Sequence, residues 1–316
     1  IIDHLNEQTL NLSGCRYAVL DEADEMLNMG FKDDVETILA ATADEDRQTV
    51  LFSATHPPWV RSIAREYQSN AHTIDAVGSG ASEAATTVEH ISILTPDSEA
   101  GRTRTLGDLI SVYAKGADSR TIVFTSTKHE VDELCVSAAM APYSAHALHG
   151  DISQKQRETT LKKFREGRFP VLIATDVAAR GIDISGVDLI VQYRIPQDAE
   201  SYVHRSGRTG RAGRSGVALL LHTERERRDL RMLERRAGVN FKPAGPPSVQ
   251  TIVEAAVGLV PRRVDAVDKR LLPYFEAAAH ELLEGPDALQ KVSAMFALVS
   301  GQHTITQASL LTGEEG

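Results

Sequence analysis

The chain has 316 residues, 42% hydrophobic and 25% charged, enough core material for two or three compact domains and too much for global disorder. Its 34 Lys and Arg against 44 Asp and Glu leave a formal net charge of -10, which argues against a protein that holds nucleic acid through a bulk basic surface. No run of about 18 apolar residues occurs, so no membrane partner is expected, and two cysteines make no disulfide framework.

Short apolar runs alternate with amphipathic stretches, the pattern of parallel sheets flanked by helices. Buried strands are expected at 17–20, 49–52, 121–124, 171–174, 189–191 and 217–221. Helices are expected between them, for example over 130–140 and 154–166. Cys15 and Cys135 sit among apolar residues and are expected as buried free thiols. The small, polar stretch Gly78-Ser79-Gly80-Ala81-Ser82-Glu83-Ala84-Ala85 suits a connector between domains. A second break is expected at Lys242-Pro243-Ala244-Gly245-Pro246-Pro247. Beyond it, Leu271, Leu272, Phe275, Ala278, Ala279 and Leu282 recur at helical spacing. Gly285 and Pro286 separate them from a second stripe, Leu289 to Val299, ended by Gly301. The expected layout is 1–77 as part of an α/β lobe, 78–87 as linker and 88–237 as a complete α/β lobe. A linker at 238–248 and a helical module at 249–316 follow.

Polar clusters stand just past the expected strands, where functional groups gather in open α/β sheets. Asp21-Glu22-Ala23-Asp24 follows the first: one carboxylate can hold Mg²⁺ near phosphates, and a second can orient water. An acidic helix start explains the same residues without chemistry. Ser53-Ala54-Thr55 follows the next strand, and as bare hydroxyls these fit a helix cap before Pro57-Pro58. In Thr175-Asp176-Val177-Ala178-Ala179-Arg180-Gly181-Ile182-Asp183, Gly181 admits close backbone approach to a ligand. Thr175 can hydrogen-bond a phosphate there, and Asp183 a ribose hydroxyl. His204-Arg205-Ser206-Gly207-Arg208-Thr209-Gly210-Arg211-Ala212-Gly213-Arg214 concentrates guanidinium groups in an acidic chain, which favours phosphate binding over a solvated loop.

Taken in order, Asp21-Glu22-Ala23-Asp24, Ser53-Ala54-Thr55, Ile122-Val123-Phe124, His149-Gly150-Asp151 with Gln154 and Arg157, the Thr175 cluster and the His204 cluster resemble the DEAD-box RNA helicase family. The match runs over about residues 1 to 237. It implies two RecA-like lobes, the first partial and the second complete, an ATP and Mg²⁺ requirement, and RNA gripped by its backbone rather than read by sequence. It implies that Asp21 holds Mg²⁺ through water and that Glu22 activates the attacking water. Arg208 and Arg211 become arginine fingers, and Gly181 with Asp183 meets the nucleotide. Asp24, Ser53, Thr55 and His204 couple the lobes, while Thr127, Gly150, Arg157 and Thr175 hold RNA. A clamp of hydroxyls and a few arginines needs no basic bulk surface.

Two departures from the family pattern stand out. No Gly-Lys pair exists, so the phosphate loop Gly-x-x-x-x-Gly-Lys-Ser/Thr is not in this chain, and the 316 residues alone are expected not to hydrolyse ATP. Ile1 also reads as an internal cut, with Ile1-Ile2-Asp3-His4-Leu5 similar to the stretch just after the family's TPGR element. In Tyr193-Arg194-Ile195-Pro196, Arg194 stands where most members carry Asp. The region from Phe241 to Leu311 resembles the nucleolar Gu-type helicases and their chloroplast relatives. That implies a homodimer through 249–301, a GUCT domain following near Gly316, and a nucleolar or chloroplast location with a role in ribosomal or organelle RNA processing; from amphipathic spacing alone, a helical extension packed on the second lobe fits 249–301 equally well. A non-catalytic RNA-binding scaffold on the same fold is the competing reading, and the retained Asp21, Glu22, Arg208 and Arg211 weigh against it.

Overall fold

A computed structural model describes residues 1–28, 30–42, 46–53, 58–75, 87–114, 119–176, 184, 187–210, 215–265 and 267–300. The chain divides into two compact units, Ile1–Ser82 and Glu83–Gly316.

The first unit pairs two parallel strands, β1 (Tyr17–Leu20) and β2 (Gln48–Leu51), in the register Leu20 to Leu51. Around them lie α1 (Ile2–Asn6), α2 (Ala23–Asn28), α3 (Lys32–Ala40) and α4 (Pro58–Tyr67). Leu20, Ala23, Val35, Leu39, Trp59, Val60 and Ile63 form its core. Arg47 braces the end of α3 through the carbonyls of Leu39 and Thr42 at 3.0 and 2.7 Å.

The second unit is built on a seven-stranded parallel sheet. Its strands are β3 (Val88–Leu94), β4 (Thr121–Thr125), β5 (His146–Leu148), β6 (Val171–Thr175), β7 (Leu189–Gln192), β8 (Gly216–His222) and β9 (Lys242–Ala244), in the order β5-β6-β4-β7-β8-β3-β9. The intervening helices are α5 (Glu99–Tyr113), α6 (Lys128–Val136), α7 (Gln154–Arg165), α8 (Ala199–Ser206) and α9 (Arg227–Ala237). Successive side chains point to opposite faces of a strand. Thus Val123, Val171 and Ile173 enter one core cluster, while Ile122, Phe124, Leu172 and Ala174 enter the other. Both faces are covered, which is why these strands read as continuous apolar runs.

Several sequence expectations change. The 238–248 linker contains β9, which pairs with β3 (Ile91 opposite Lys242), while Val239 and Phe241 pack with Tyr202 and Leu220. Pro243 is tolerated there because an edge strand can spare an N–H. The strands β3 and β5 were also not expected: β3 mixes Glu89, His90 and Ser92 with its apolar residues, and β5 spans only three residues. The helix expected over 130–140 ends at Val136, where the Ser137 hydroxyl donates to Leu134 O at 2.7 Å. A short 3₁₀ turn, Ala141–Tyr143, follows around Pro142, which disfavours helix at the residue before it. Cys15 and Cys135 are free but half-buried rather than buried.

Beyond the sheet, α10 (Val249–Asp265) packs against α5 and α12 (Ala288–Ser300), burying Ala256 and Val260. The segment Lys269–Tyr274 is a 3₁₀ turn, so only the later part of the expected stripe is α-helix, α11 (Glu276–Glu284). No residue of α11 or α12 is buried. No helix among the described residues is long and apolar enough to cross a membrane.

Candidate functional site

In the first unit, the parallel pairing of β1 and β2 brings their carboxyl ends side by side. The Phe52 N–H donates to Leu20 O at 2.8 Å, and the Ala23 N–H returns to Phe52 O at 3.0 Å. The chain turns sharply between these bonds. Asp21 is exposed, and its Oδ1 accepts the Glu22 N–H at 3.0 Å. Glu22 has φ +52°, in the left-handed region that costs a residue with a Cβ about 1–2 kcal/mol. That conformation lets α2 begin one residue later, carrying Asp24 inward until it is 2% exposed. The Asp24 N–H donates to the Ser53 hydroxyl at 3.2 Å, so the two strand-end motifs are tied together. Ser53 thus caps the turn after β1; Thr55 lies outside the described residues.

In the second unit, β5, β6 and β4 end side by side, Leu148 opposite Ala174 and Thr125 opposite Thr175. This gathers Gly150, Thr175 and Thr127 at one edge of the sheet. Thr127 is also the N-cap of α6: its hydroxyl oxygen accepts the Glu130 N–H at 3.2 Å. That bond uses a lone pair and leaves the hydroxyl proton available to a phosphate, so cap and ligand roles are compatible. Gly150 is exposed, and a Cβ there would meet nothing within 4 Å. Arg157 lies in the first turn of α7, behind the capping box of Ser153 and Gln156, and its Nη1 donates to Gln154 Oε1 at 3.3 Å.

The arginine-rich segment is anchored from beneath. Arg205 is 5% exposed and grips Asp176 bidentately, Nε to Oδ1 and Nη2 to Oδ2, both at 2.6 Å. Its Nη1 donates to Gln192 Oε1 at 3.2 Å, and the guanidinium stands 5.4 Å from the Phe124 ring centroid. Asp198 caps α8 by accepting the Ser201 N–H at 2.6 Å. These contacts set the last turn of α8, with His204 and Arg208 half-exposed beside Arg205. The chain then dives under the sheet edge: the Thr209 hydroxyl donates to Val187 O, and that of Thr87 to Gly210 O at 2.6 Å. Gly210 has φ +68°, and a Cβ would come within 2.6 Å of Val88 Cγ2, so glycine is required twice over. Gly181, Asp183 and Arg211 lie outside the described residues.

Sequence reasoning assigned no role to Asp176, Arg102 or Glu226, and it counted Arg205 among the phosphate-binding guanidiniums, whereas Arg205 is taken up by Asp176. Arg102, 2% exposed, donates to Tyr193 O and to Glu226 Oε2, each at 2.8 Å. Nothing local marks Arg102, since its partners lie 91 and 124 positions away. Arg194, the departure from the family pattern, donates to Glu130 Oε1 at 2.7 Å and Glu99 Oε2 at 2.6 Å. Its charge is satisfied by two carboxylates of its own unit. Among the described residues no group of three metal-ligating side chains gathers. The exposed carboxylate of Asp21 nonetheless fits Mg²⁺, which keeps its waters and takes one or two carboxylates plus phosphate oxygens.

Residues 1–63 match the DEAD/DEAH box helicase model, and residues 101–213 the helicase conserved C-terminal domain. The chain belongs to the DEAD-box helicase family. This DEAD-box chain is 44% identical to the human ATP-dependent RNA helicase DDX50 over 324 residues, covering 100% of this chain and 43% of that protein. It is 43% identical to mouse nucleolar RNA helicase 2 (100% and 37% covered) and 46% identical to the chloroplastic DEAD-box ATP-dependent RNA helicase 3A of Zea mays (100% and 42%). It therefore spans less than half the length of these relatives. Among solved structures it is similar to S. cerevisiae Dbp5 bound to RNA and ADP BeF3, with TM-score 0.69 and 28% identity over 80% of this chain and 66% of that one. The fold is that of the family's RecA-like lobes.

Proposed function

We propose that this chain supplies the water-activating carboxylates and the arginine side of an ATP-dependent RNA helicase that couples ATP hydrolysis to clamping and local opening of RNA. The observation that carries the reading is the turn after β1. There an exposed Asp21 adjoins Glu22 held at φ +52°, and the Asp24 N–H to Ser53 bond locks the turn. A strained residue kept at a strand end is the mark of a site that positions a group.

In this reading Mg²⁺, held through water at Asp21, neutralises phosphate charge when bound. Glu22 accepts a proton from the attacking water as its oxygen bonds to the terminal phosphorus and the bond to the ADP oxygen breaks. Arg208 and Arg211 stabilise the charge that develops there, and Gly181 and Asp183 hold the nucleoside. Asp24, Ser53, Thr55 and His204 relay closure between the units. Thr127, Gly150, Arg157 and Thr175 hold the RNA backbone without reading its sequence. The phosphate loop must come from outside these residues, so the chain alone turns over no ATP. The relatives named nucleolar and chloroplastic support a role in ribosomal or organelle RNA processing.

The test is Glu22→Gln in the full-length protein. RNA-stimulated ATPase should fall about 10²–10⁴-fold while RNA binding with an ATP analogue persists; unchanged turnover refutes the assignment. A wild-type protein that binds RNA and never turns over would instead be a scaffold.

The exposed Phe275, Leu283, Leu289 and Phe296 of the helical module support a second copy of the chain as its cover. Sedimentation of the whole chain tests this, and a strict monomer at high concentration ends the idea.

A further inference from the structure

We propose a second RNA contact, outside the family's motifs, on the arginine-lined face of α9, a reading that rests on the RNA partner proposed above. Residues 225–236 hold Arg225, Arg227, Arg228, Arg231, Arg235 and Arg236, all exposed, in a chain whose net charge is -10. The helix cannot rotate this face away, because Leu230, Leu233 and Ala237 bury its other side against Tyr202 and Leu220.

The acids of the segment are largely spent elsewhere. Glu226 is drawn inward to Arg102, and Glu234 Oε1 accepts the Phe241 N–H at 3.0 Å. Asp229 lines a different groove, with Ile195 and Met232. Arg227 pairs with Glu224 at 2.9 Å, and Arg225 with Asp97 at 3.2 Å. Arg228, Arg231 and Arg235 have no carboxylate within 4 Å among the described residues. At spacings of three and four residues they share one helix face and span about 10.5 Å along it.

Five of these arginines and Glu224 line a groove of about 530 Å³ that contains no apolar side chain. A protein partner needs an apolar or aromatic anchor in a pocket, and none is offered here. A line of guanidiniums instead fits successive phosphates of one nucleic-acid strand. The position agrees. β8 runs parallel to β7, and β7 to β4, so α9 starts from the sheet edge that carries Thr127 and Thr175. One strand, β7, separates β8 from β4, so the two lie two strand spacings apart, about 10 Å. An RNA strand leaving that edge can run on to α9.

The experiment compares the full-length protein with its R228Q/R231Q/R235Q triple variant. It measures fluorescence anisotropy of single-stranded RNAs of about 6 and about 20 nucleotides across a salt series, with an ATP analogue. The long RNA should lose about tenfold in affinity, and its slope against log salt should fall by about 2, from three contacts at about 0.7 each. The short RNA should bind as before, and the triple Arg→Lys variant should keep the slope. The melting temperature should not move, since all three residues are exposed. An unchanged slope, or equal loss on both RNAs, overturns the proposal. So does poly-glutamate binding that the triple variant loses while its RNA slope stays the same, which would assign the face to an acidic protein. If the unaltered protein binds neither RNA, the helicase reading falls as well.

Discussion

Arg205 and Asp176 meet through two parallel hydrogen bonds of 2.6 Å, joining the end of α8 to the loop after β6. This pair fixes the arginine-rich segment on the sheet, with Phe124 and Gln192 closing around the guanidinium. Losing Asp176 strands a buried cation. Asp176→Asn should therefore cost roughly 2–3 kcal/mol in denaturant unfolding, below the 3–5 kcal/mol of a fully buried pair because the Asp176 side chain is 25% exposed. Arg205→Lys keeps the charge but cannot bond bidentately, and should also destabilise.

Arg102→Met should destabilise by about 3 kcal/mol, since it leaves both Glu226 and Tyr193 O without their buried donor. Burial alone would raise the Glu226 pKa, but hydrogen bonds from Thr223 and Arg102 outweigh it and hold the carboxyl below its ordinary value. Its contribution is present above the ordinary value of 4.5 and is lost as pH falls through the lower, folded one. Urea midpoints of the two proteins should converge at acid pH; a gap that does not narrow contradicts this.

Asp108 on α5 titrates the other way. Burial pushes its carboxyl up to about 6, against the opposing pull of Arg104. Between its ordinary 3.8 and about 6 the folded chain binds more protons than the unfolded one, so stability should fall as pH rises through that window. Asp108→Asn should remove this component, measured as the difference in unfolding free energy between pH 4.5 and 7.

Gly216→Ala should be among the most damaging single-methyl changes in the second unit. Its Cβ would collide with the Thr209 hydroxyl and come within 2.5 Å of the Gly210 backbone nitrogen. Relieving that overlap must shift the segment that follows Arg208, at a cost of about 1–3 kcal/mol or more. Differential scanning calorimetry reads it directly, and an unchanged melting temperature would contradict the packing described.

Cys135 should resist alkylation in the folded protein. Burial, aided by the Asp132 carboxylate, pushes its thiol up to about 11, leaving little thiolate at neutral pH. Iodoacetamide labelling at pH 7.5, followed by mass spectrometry, should show slow reaction when native and rapid reaction in denaturant.

Much of this protein is legible in the linear chain because two kinds of information are local. Strands buried on both faces must be apolar throughout, so 121–124 and 171–174 announce themselves, as do 189–191 and 217–221. Polar groups gather past the strand ends of open α/β sheets, so the candidates Asp21, Thr127 and Thr175 stand out at or just past those runs. What tertiary structure decided is partnership across distance. Arg102 and Glu226 are 124 positions apart, and only the folded sheet makes one the counter-charge of the other. β9 reads as a Pro-rich break because edge pairing is invisible without β3 beside it. The same folding turns a charge-mixed segment into a one-sided arginine face, since burial of Leu230 and Leu233 and the inward pull on Glu226 set which charges reach water. Local chemistry names the groups; the low dielectric of the interior and the crossing of distant strands choose their partners.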